Sequence, residues 1–184
     1  MLLYISITLI FIILIAIILL SILLVSMIYS HISGSPFISN MEEVIVKTLE
    51  ELRPTKDDVL VDLGSGNGNV IKIALDKYKV KKAIGYEISP VPYYLSKLNL
   101  RGHKNVELKK ESLLDADLSE STIIYLYLLP DLLEKLLPNL KKVKQKKNTV
   151  KIASCVFEIK GMKLQRKVKI YHKGFKKDVF IYFY

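Results

Sequence analysis

The fold is decided by the ten-residue stretch VDLGSGNGNV, which runs from Val61 to Val70. It is preceded by the β-branched run DDVLVDL at residues 57–63, which predicts a buried strand. It continues into NVIKIALDKY at residues 69–78, whose apolar side chains recur at helical spacing. Glycines between a strand and a helix let the backbone turn tightly and approach a ligand where a Cβ would clash. The stretch therefore predicts a ligand-binding loop between a strand and a helix.

The spacing within the loop excludes three common motifs. The dinucleotide-binding fingerprint requires its third glycine where this chain has Asn69, and no Lys-Ser/Thr pair follows to make a phosphate-binding P-loop. Ser65 does not lie in a Gly-x-Ser-x-Gly nucleophile elbow. Asp62, two residues before the first glycine, can face an ammonium group but would repel a phosphate. The loop therefore favours a nucleoside that carries an amino acid.

A second carboxylate, Glu87, ends the next predicted strand 19 residues after Gly68. At that place in an open α/β sheet, a carboxylate can accept hydrogen bonds from both hydroxyls of a ribose. For Glu87 taken alone, an exposed glutamate at the end of a strand is the alternative. The glycine loop, Asp62 and Glu87 together predict S-adenosylmethionine as the cofactor.

The rest of the chain alternates between predicted strands and helices. The predicted strands are residues 57–63, 83–87, 105–109, 122–128, 149–157, 164–171 and 179–184. The predicted helices are residues 40–53 with Asn40 as N-cap, 69–78, 91–100 and 131–143, where Pro138 bends or splits the last one. The alternation implies right-handed crossovers, and the last two strands form a hairpin near Gly174. We expect an α/β fold with a Rossmann-like, doubly wound, mostly parallel seven-stranded sheet that ends in an antiparallel hairpin, preceded by one N-terminal transmembrane helix.

Residues 1–30 form an apolar run without a charged side chain, and the first charge in the chain is Glu42. Roughly 20 apolar residues of helix cross a bilayer, so the run is long enough to do so with some tilt. It lacks the basic n-region, the short apolar core and the cleavage site of a secretory signal peptide. We therefore favour a transmembrane anchor helix over a cleaved signal peptide or a buried core helix. Residues 31–39 are then a linker, and residues 40–184 form a folded domain.

The chain carries 28 basic and 18 acidic residues, which gives a net charge of +10. Such an excess implies anionic lipid, nucleic acid or an acidic protein as a neighbour, with a solvated surface as the alternative. Basic clusters lie at residues 141–147 and 163–177. Beside a membrane anchor we expect them to contact the headgroups of the lipid bilayer. Nucleic acid is the less favoured partner, although the sequence does not exclude it.

Compartment and metal binding are constrained by a few residues. Excess lysine near a single span tends to stay on the cytoplasmic side, and a single cysteine, Cys155, suits a reducing compartment. We therefore expect a single-pass membrane protein whose domain faces the cytoplasm. His31, His103 and His172 lie far apart with no ligand spacing around them, so no metal site is predicted.

Four stretches together resemble one family: SPFISNMEEVI, VLVDLGSGNGNVIKIA, AIGYEISPVPYYLSKLN and LLDADLSESTIIYLYLLPDLLEKLLPNLKK. They span most of residues 35–142 and resemble the class I, seven-strand S-adenosylmethionine-dependent methyltransferases. The YLYLLP stretch after DLS is similar to the membrane-anchored protein-lysine methyltransferases of the adenine nucleotide translocase and ATP synthase c-subunit type and to their prokaryotic relatives. The resemblance implies that residues 40–184 are the methyltransferase domain, and an uncharged N-terminal anchor belongs to the same plan.

The resemblance also assigns most of the cofactor-binding residues. Asp62 and the glycine loop would hold the methionine end of the cofactor. The loop residues in question are Gly64, Ser65, Gly66 and Gly68. Glu87 would bind the ribose, and Ile88 would contact the adenine ring.

Three further stretches of the chain can be compared with the same family. Pro36, Phe37 and Ile38 would fold over the bound cofactor. Where the family has an acid that binds the adenine amino group, this chain has Ser112, with Glu111 as a substitute. The stretch between the fifth and sixth strands is too short for the usual helix.

Methylation of a lysine requires that its ammonium group first lose a proton. A dry, aromatic-lined channel lowers the pKa of the lysine and so makes this loss easier. We predict that Tyr127, at the carboxyl end of the fourth strand, lines such a channel and that Asp131 guides the ammonium. Alternation puts Tyr125 on the same face as Tyr127, so two core tyrosines are the alternative. The following YLLP lacks the Asn/Asp-Pro-Pro-Tyr/Phe of enzymes that methylate adenine N6 or glutamine amides.

The favoured hypothesis is a membrane-anchored protein-lysine N-methyltransferase that acts on a membrane protein from the cytoplasmic side. A tethered class I methyltransferase that acts on RNA, a lipid or a small molecule is the second hypothesis. A catalytically inactive anchored binding module is the third. The change at Ser112 makes the third conceivable, whereas the presence of Asp62 and Glu87 argues against it.

Overall fold

The computed structural model describes residues 1–32, 42–146, 150–172 and 175–183. Five helices and seven strands lie within these ranges. In chain order they are α1 (Leu2–Ile32), α2 (Glu42–Leu52), β1 (Val59–Leu63), α3 (Asn69–Lys77), β2 (Lys82–Tyr86), α4 (Pro90–Asn99), β3 (Val106–Lys109), a 3-10 turn (Leu113–Asp115), β4 (Ile123–Leu126), α5 (Pro130–Lys146), β5 (Lys151–Cys155), β6 (Arg166–His172) and β7 (Phe175–Phe183). The predictions made for Asn40, residues 36–38 and Gly174 lie outside the described residues.

The strands form one sheet in the order β3-β2-β1-β4-β5-β7-β6. The first five strands pair in parallel, and β7 runs antiparallel to both β5 and β6. The predicted mostly parallel sheet with a terminal hairpin is confirmed. The strand order reverses between β1 and β4, because the chain first builds outward to β3 and then returns to the other side of β1. In open sheets such a switch point opens a crevice at the carboxyl ends of the strands, where ligands bind.

Helices cover both faces of the sheet. On one face α2 and α3 pack against the sheet, with Leu49 and Ile71 in the same buried cluster as Ile123. On the other face α5 does so, with Leu136 in the same cluster as Ile124. Burial on both faces explains why the central strands read as continuous apolar runs, without the alternation of a half-exposed sheet.

Helix α5 is continuous through Pro138, so of the two predicted effects, a bend or a split, the split does not occur. A proline removes one backbone donor, which here leaves the carbonyl of Glu134 without its helical partner. Both Pro138 and Glu134 are exposed, so water can replace that hydrogen bond. The buried Leu136 and Leu140 hold the helix against the sheet on either side of the proline. The stretch between β5 and β6, residues 156–165, contains no helix, as predicted.

Helix α1 is 31 residues long, and none of the residues from Tyr4 to Val25 is buried. By length and composition this segment can cross a membrane. The helix is in contact with α4, the helix that connects β2 to β3.

Candidate active site

The predicted site residues follow the carboxyl ends of three adjacent strands. The glycine loop follows β1, Glu87 follows β2, and Tyr127 follows β4. Because β1 lies between β2 and β4 in the sheet, these residues meet at one edge, at the switch point.

The glycine loop is held against the end of β2. All three of its glycines have left-handed backbone conformations: Gly64 has φ 88°, Gly66 54° and Gly68 81°. The N–H groups of Gly64 and Ser65 donate to the Tyr86 carbonyl at 2.9 and 3.0 Å. A Cβ at Gly68 would come within 2.8 Å of the Leu100 side chain, so the third glycine also lets α3 start close to α4. The loop is therefore fixed by its backbone rather than by its side chains.

Glu87 connects this loop to the start of α4. One carboxylate oxygen accepts the N–H of Gly66 at 2.9 Å, and the other accepts the N–H of Ser89 at 2.7 Å. Each carboxylate oxygen can accept a second hydrogen bond, so capacity remains for the hydroxyls of a ligand. Ile88 follows with a partly exposed side chain. The structure therefore places Glu87 and Ile88 beside the glycine loop.

Asp62 lies near the end of β1 and is only 3% exposed. Burial raises its pKa to about 8, and the nearby Glu87 carboxylate adds to the effect. A buried carboxylate is costly without a positive partner, whereas an ammonium group beside it would stabilise its charged form. The site is therefore suited to bind a cation next to β1.

The hydroxyl of Ser65 is buried and has no hydrogen-bond partner among the described residues. It faces Gly85 of β2, where an added Cβ would lie 2.8 Å from the Ser65 oxygen and 2.5 Å from Ile71. Gly85 is a residue of the site that sequence reasoning missed. A glycine inside the apolar strand AIGYE is a recognisable sign of close approach between chains.

These features fit a nucleoside that carries an amino acid. A glycine cradle, a buried carboxylate for an ammonium, a free buried hydroxyl and a carboxylate with capacity for ribose hydroxyls lie together. Ser112 is different, because its oxygen accepts the N–H of Leu114 at 3.2 Å and caps the 3-10 turn. A hydroxyl still has its own hydrogen and a second lone pair, so Ser112 can make one further contact.

At the end of β4, the two tyrosines differ in exposure. Tyr125 is 1% exposed and lies in the core, where its hydroxyl accepts a hydrogen bond from the Cys155 thiol at 3.2 Å. Tyr127 is partly buried on the same side of the sheet. Lys177 of β7 donates to the Tyr127 hydroxyl at 3.2 Å, with its ammonium 5.1 Å from the ring centroid. Asp131 lies in the first turn of α5 with an exposed side chain.

The Cys155 thiol is buried and donates to the Tyr125 hydroxyl. Its pKa is raised to about 11 by burial, and it is within electrostatic reach of both Lys177 and Asp62. Sequence reasoning assigned Lys177 only to a basic cluster, because nothing in the sequence relates it to Tyr127.

Comparisons with known proteins agree with this geometry. The family model of the ANTKMT methyltransferase domain matches residues 62–166. A protein-lysine N-methyltransferase of Saccharolobus islandicus (strain REY15A) is 29% identical over 156 residues, which cover 83% of this chain and 96% of the relative.

Solved structures share the fold. An RNA methyltransferase from Salinibacter ruber in complex with S-adenosyl-L-homocysteine is 28% identical, with a TM-score of 0.71 over 79% of this chain and 93% of that chain. A candidate tRNA methyltransferase from Streptococcus pneumoniae in complex with S-adenosyl-L-methionine has a TM-score of 0.61 at 14% identity, over 79% of this chain and 72% of that chain. The chain therefore belongs to the ANTKMT methyltransferase domain family and is an S-adenosylmethionine-dependent class I methyltransferase.

Proposed function

We propose that this protein is a membrane-anchored protein-lysine N-methyltransferase that modifies a lysine of a membrane protein from the cytoplasmic side. The family match and the lysine-specific Saccharolobus islandicus relative support lysine as the acceptor. The apolar helix α1 supports the anchor. The excess of basic residues and the single cysteine, Cys155, support the cytoplasmic orientation.

The observation that carries the proposal is the position of Lys177 over the ring of Tyr127. The ring face at the end of β4 already holds a lysine ammonium, so its chemistry is suited to the side chain that would be methylated. Tyr127 is the residue that we assign to the acceptor channel. Asp131, exposed in the first turn of α5, is assigned the weaker role of guiding the incoming ammonium.

When bound, S-adenosylmethionine supplies an activated methyl group on a sulfonium. We assign Asp62 and the hydroxyl of Ser65 to its amino-acid end, Glu87 to the ribose and Ile88 to the adenine. Gly64, Gly66 and Gly68 let the backbone pass close to the cofactor, and Ser112 supplies the remaining polar contact. Because transfer of a methyl group is an in-line displacement, positioning of the two partners accounts for most of the catalysis.

The acceptor lysine must also become neutral. From a reference pKa near 10.4, deprotonation at pH 7 costs roughly 4–5 kcal/mol, at about 1.36 kcal/mol for each pKa unit. Burial around Tyr127 disfavours the ammonium form by desolvation and lowers this cost, whereas the ring face holds the ammonium before it loses its proton. The proton passes to water, and the proposal needs no dedicated catalytic base.

One alternative acceptor is favoured by specific observations. The similar structure from Salinibacter ruber is that of an RNA methyltransferase, and a net charge of +10 suits contact with phosphates. The proposed function and this alternative differ in the chemical nature of the methylated product.

The proposal is tested by incubating the purified protein with tritiated S-adenosylmethionine and membranes. The membranes come from the source organism after deletion of the gene that encodes this protein. Parallel samples are treated with protease or RNase. We expect a labelled band that protease removes and RNase does not, absent with Glu87→Ala and retained with Glu134→Ala, an exposed glutamate of α5. Acid hydrolysis should then yield methyllysine. Label in RNA or in lipid would contradict the proposed acceptor while leaving the family and the cofactor unchanged.

A further inference from the structure

We propose that helix α4 is a second membrane contact, and that its outer face lies in the headgroup layer of an anionic leaflet. This inference rests on the proposed anchoring of the chain by α1. It adds that the catalytic domain has a fixed orientation on the bilayer rather than hanging freely from its anchor.

The first observation is that α4 is apolar on two sides. Its inner side is buried through Pro92, Tyr93 and Ser96. Its outer side nevertheless exposes large apolar residues: Tyr94 is 56% exposed, Leu95 43% and Leu98 67%. These three residues lie one turn apart or adjacent, so they form one continuous patch. A contiguous apolar patch on a helix that already packs inward indicates a second partner.

The second observation is a group of cations on α4, in the turn that follows it and just after β3. They are Lys97, Arg101, Lys104 and Lys110, all of them exposed. Within the described residues, none of the four forms an ion pair with a carboxylate. Two of the cations instead lie over tyrosine rings, Lys97 at 5.0 Å from the centroid of Tyr93 and Lys110 at 5.6 Å from that of Tyr94. An ammonium over a ring face is not neutralised by a carboxylate, so its charge remains available to an anion.

The third observation identifies the occupant. Helix α1 is in contact with α4, and the apolar residues of α1 from Tyr4 to Val25 are unburied. A bilayer that surrounds α1 would therefore meet α4 before the other helices of the domain. Tyrosine prefers the membrane interface, leucine inserts below it, and lysine and arginine attract anionic headgroups. The patch and its cations match these layers.

The same argument makes the other basic clusters poor membrane contacts. Helix α5 carries residues 141–146 and lies on the opposite face of the sheet from α2 and α3. Strand β6 lies at the far edge of the sheet from β3, the strand into which α4 leads. The sequence suggested that these clusters contact the headgroups, and we now assign that contact to α4.

The test uses the full chain in lipid nanodiscs, with one exposed cysteine introduced at a time and labelled with an environment-sensitive fluorophore. Cys155 is left in place because it is buried and its raised pKa makes it unreactive at neutral pH. The reporter is Leu98→Cys on α4, and the matched control is Lys135→Cys on the exposed side of α5. Ser21→Cys in α1 reports whether the anchor has inserted. Quenching by lipids spin-labelled near the headgroup is read for each position.

We expect several-fold stronger quenching at Leu98→Cys than at Lys135→Cys in discs of phosphatidylcholine mixed with phosphatidylglycerol. Adding Arg101→Glu and Lys104→Glu should reduce this quenching to that of the control. Quenching at Ser21→Cys without quenching at Leu98→Cys would overturn the inference. The inference would also be overturned if the fluorophore at Leu98→Cys were shielded from water in native membranes but not in lipid nanodiscs. The patch would then be covered by a protein. No quenching at Ser21→Cys would overturn the anchor and this inference together, whereas acceptor identity is read independently by methyl transfer.

Discussion

The ammonium of Lys177 lies 5.1 Å from the ring centroid of Tyr127 and donates a hydrogen bond to its hydroxyl at 3.2 Å. The two residues come from β7 and from the end of β4, which are separated in the sheet by β5. If Tyr127 lines the acceptor channel, an incoming lysine needs the ring face that Lys177 occupies. Two ammonium groups cannot share one ring face, so Lys177 must move when the acceptor binds.

We therefore expect Lys177→Gln to improve binding of the acceptor. A cation–π contact is worth about 0.5–2 kcal/mol, which corresponds to a KM lower by roughly 2- to 30-fold. The change is measured by steady-state methylation of the identified acceptor at saturating cofactor. Lys176→Gln, an exposed neighbour on the same strand, should leave KM unchanged. A higher KM for Lys177→Gln would mean that Lys177 assists binding of the acceptor.

Glu87 should control cofactor affinity through its two acceptor oxygens. Glu87→Ala leaves the N–H groups of Gly66 and Ser89 without their acceptors and removes the proposed ribose contact. A hydrogen bond to a charged group is worth about 1.5–3 kcal/mol, so we expect the Kd to rise by roughly 10- to 100-fold or more. Glu87→Gln keeps one oxygen and should lie between the two. Calorimetric titration with S-adenosylhomocysteine measures the series, and an unchanged Kd for Glu87→Ala would refute the assignment.

Gly85 should be intolerant of any side chain. A Cβ there would lie 2.5 Å from Ile71, 2.8 Å from the Ser65 hydroxyl and 3.0 Å from Leu108. Overpacking of this kind costs about 1–3 kcal/mol, which denaturant unfolding of Gly85→Ala in detergent should detect. Because Ser65 must shift, cofactor affinity should fall as well. Gly102→Ala is the comparison, since its φ of +99° strains an alanine but no atom of a contacting described residue lies within 4 Å of the added Cβ. It should lose stability and keep affinity.

Much of the fold could be predicted because local signals and topology agree. The alternation of strand and helix patterns predicted the parallel sheet. Two predicted strands in succession at the end of the chain predicted the hairpin of β6 and β7. Glu87 could be placed because it directly follows a strand next to β1, so its distance from the glycine loop depends only on strand pairing. The choice between a bend and a split at Pro138 could not be made, because the cost of a proline depends on whether the freed carbonyl is exposed, which the sequence does not record.

The remaining site features depend on contacts between distant segments. The pairing of Lys177 with Tyr127 spans 50 residues and requires the position of β7 in the sheet. The exposed apolar patch of α4 was missed for a different reason. Tyr94, Leu95 and Leu98 look like core residues in sequence, and only the burial of the other side of α4 shows that they are left exposed.

Asp62 should make cofactor binding depend on pH. Burial, and after it the charge of Glu87, raises the pKa of Asp62 to about 8, so the carboxyl is protonated in the free protein below that pH. An ammonium group bound beside it favours the carboxylate, so binding releases a proton. We expect affinity to rise with pH by at most about tenfold per pH unit and to level off near pH 8. The α-amino group of the free ligand, with a pKa of roughly 7.7–8.0, loses its charge in that range.

Calorimetry in two buffers of different ionisation enthalpy counts the protons released. Wild-type protein should release close to one proton per cofactor at about pH 6, and almost none in net at about pH 8, because loss from Asp62 is then offset by uptake on the ligand. Asp62→Asn has no proton to release, so its weaker binding should be independent of pH from about pH 6 to about pH 7, below the pKa of the ligand's amino group. If the asparagine variant released as many protons as the wild type at about pH 6, the linked group would lie elsewhere and Asp62 would not face the ammonium.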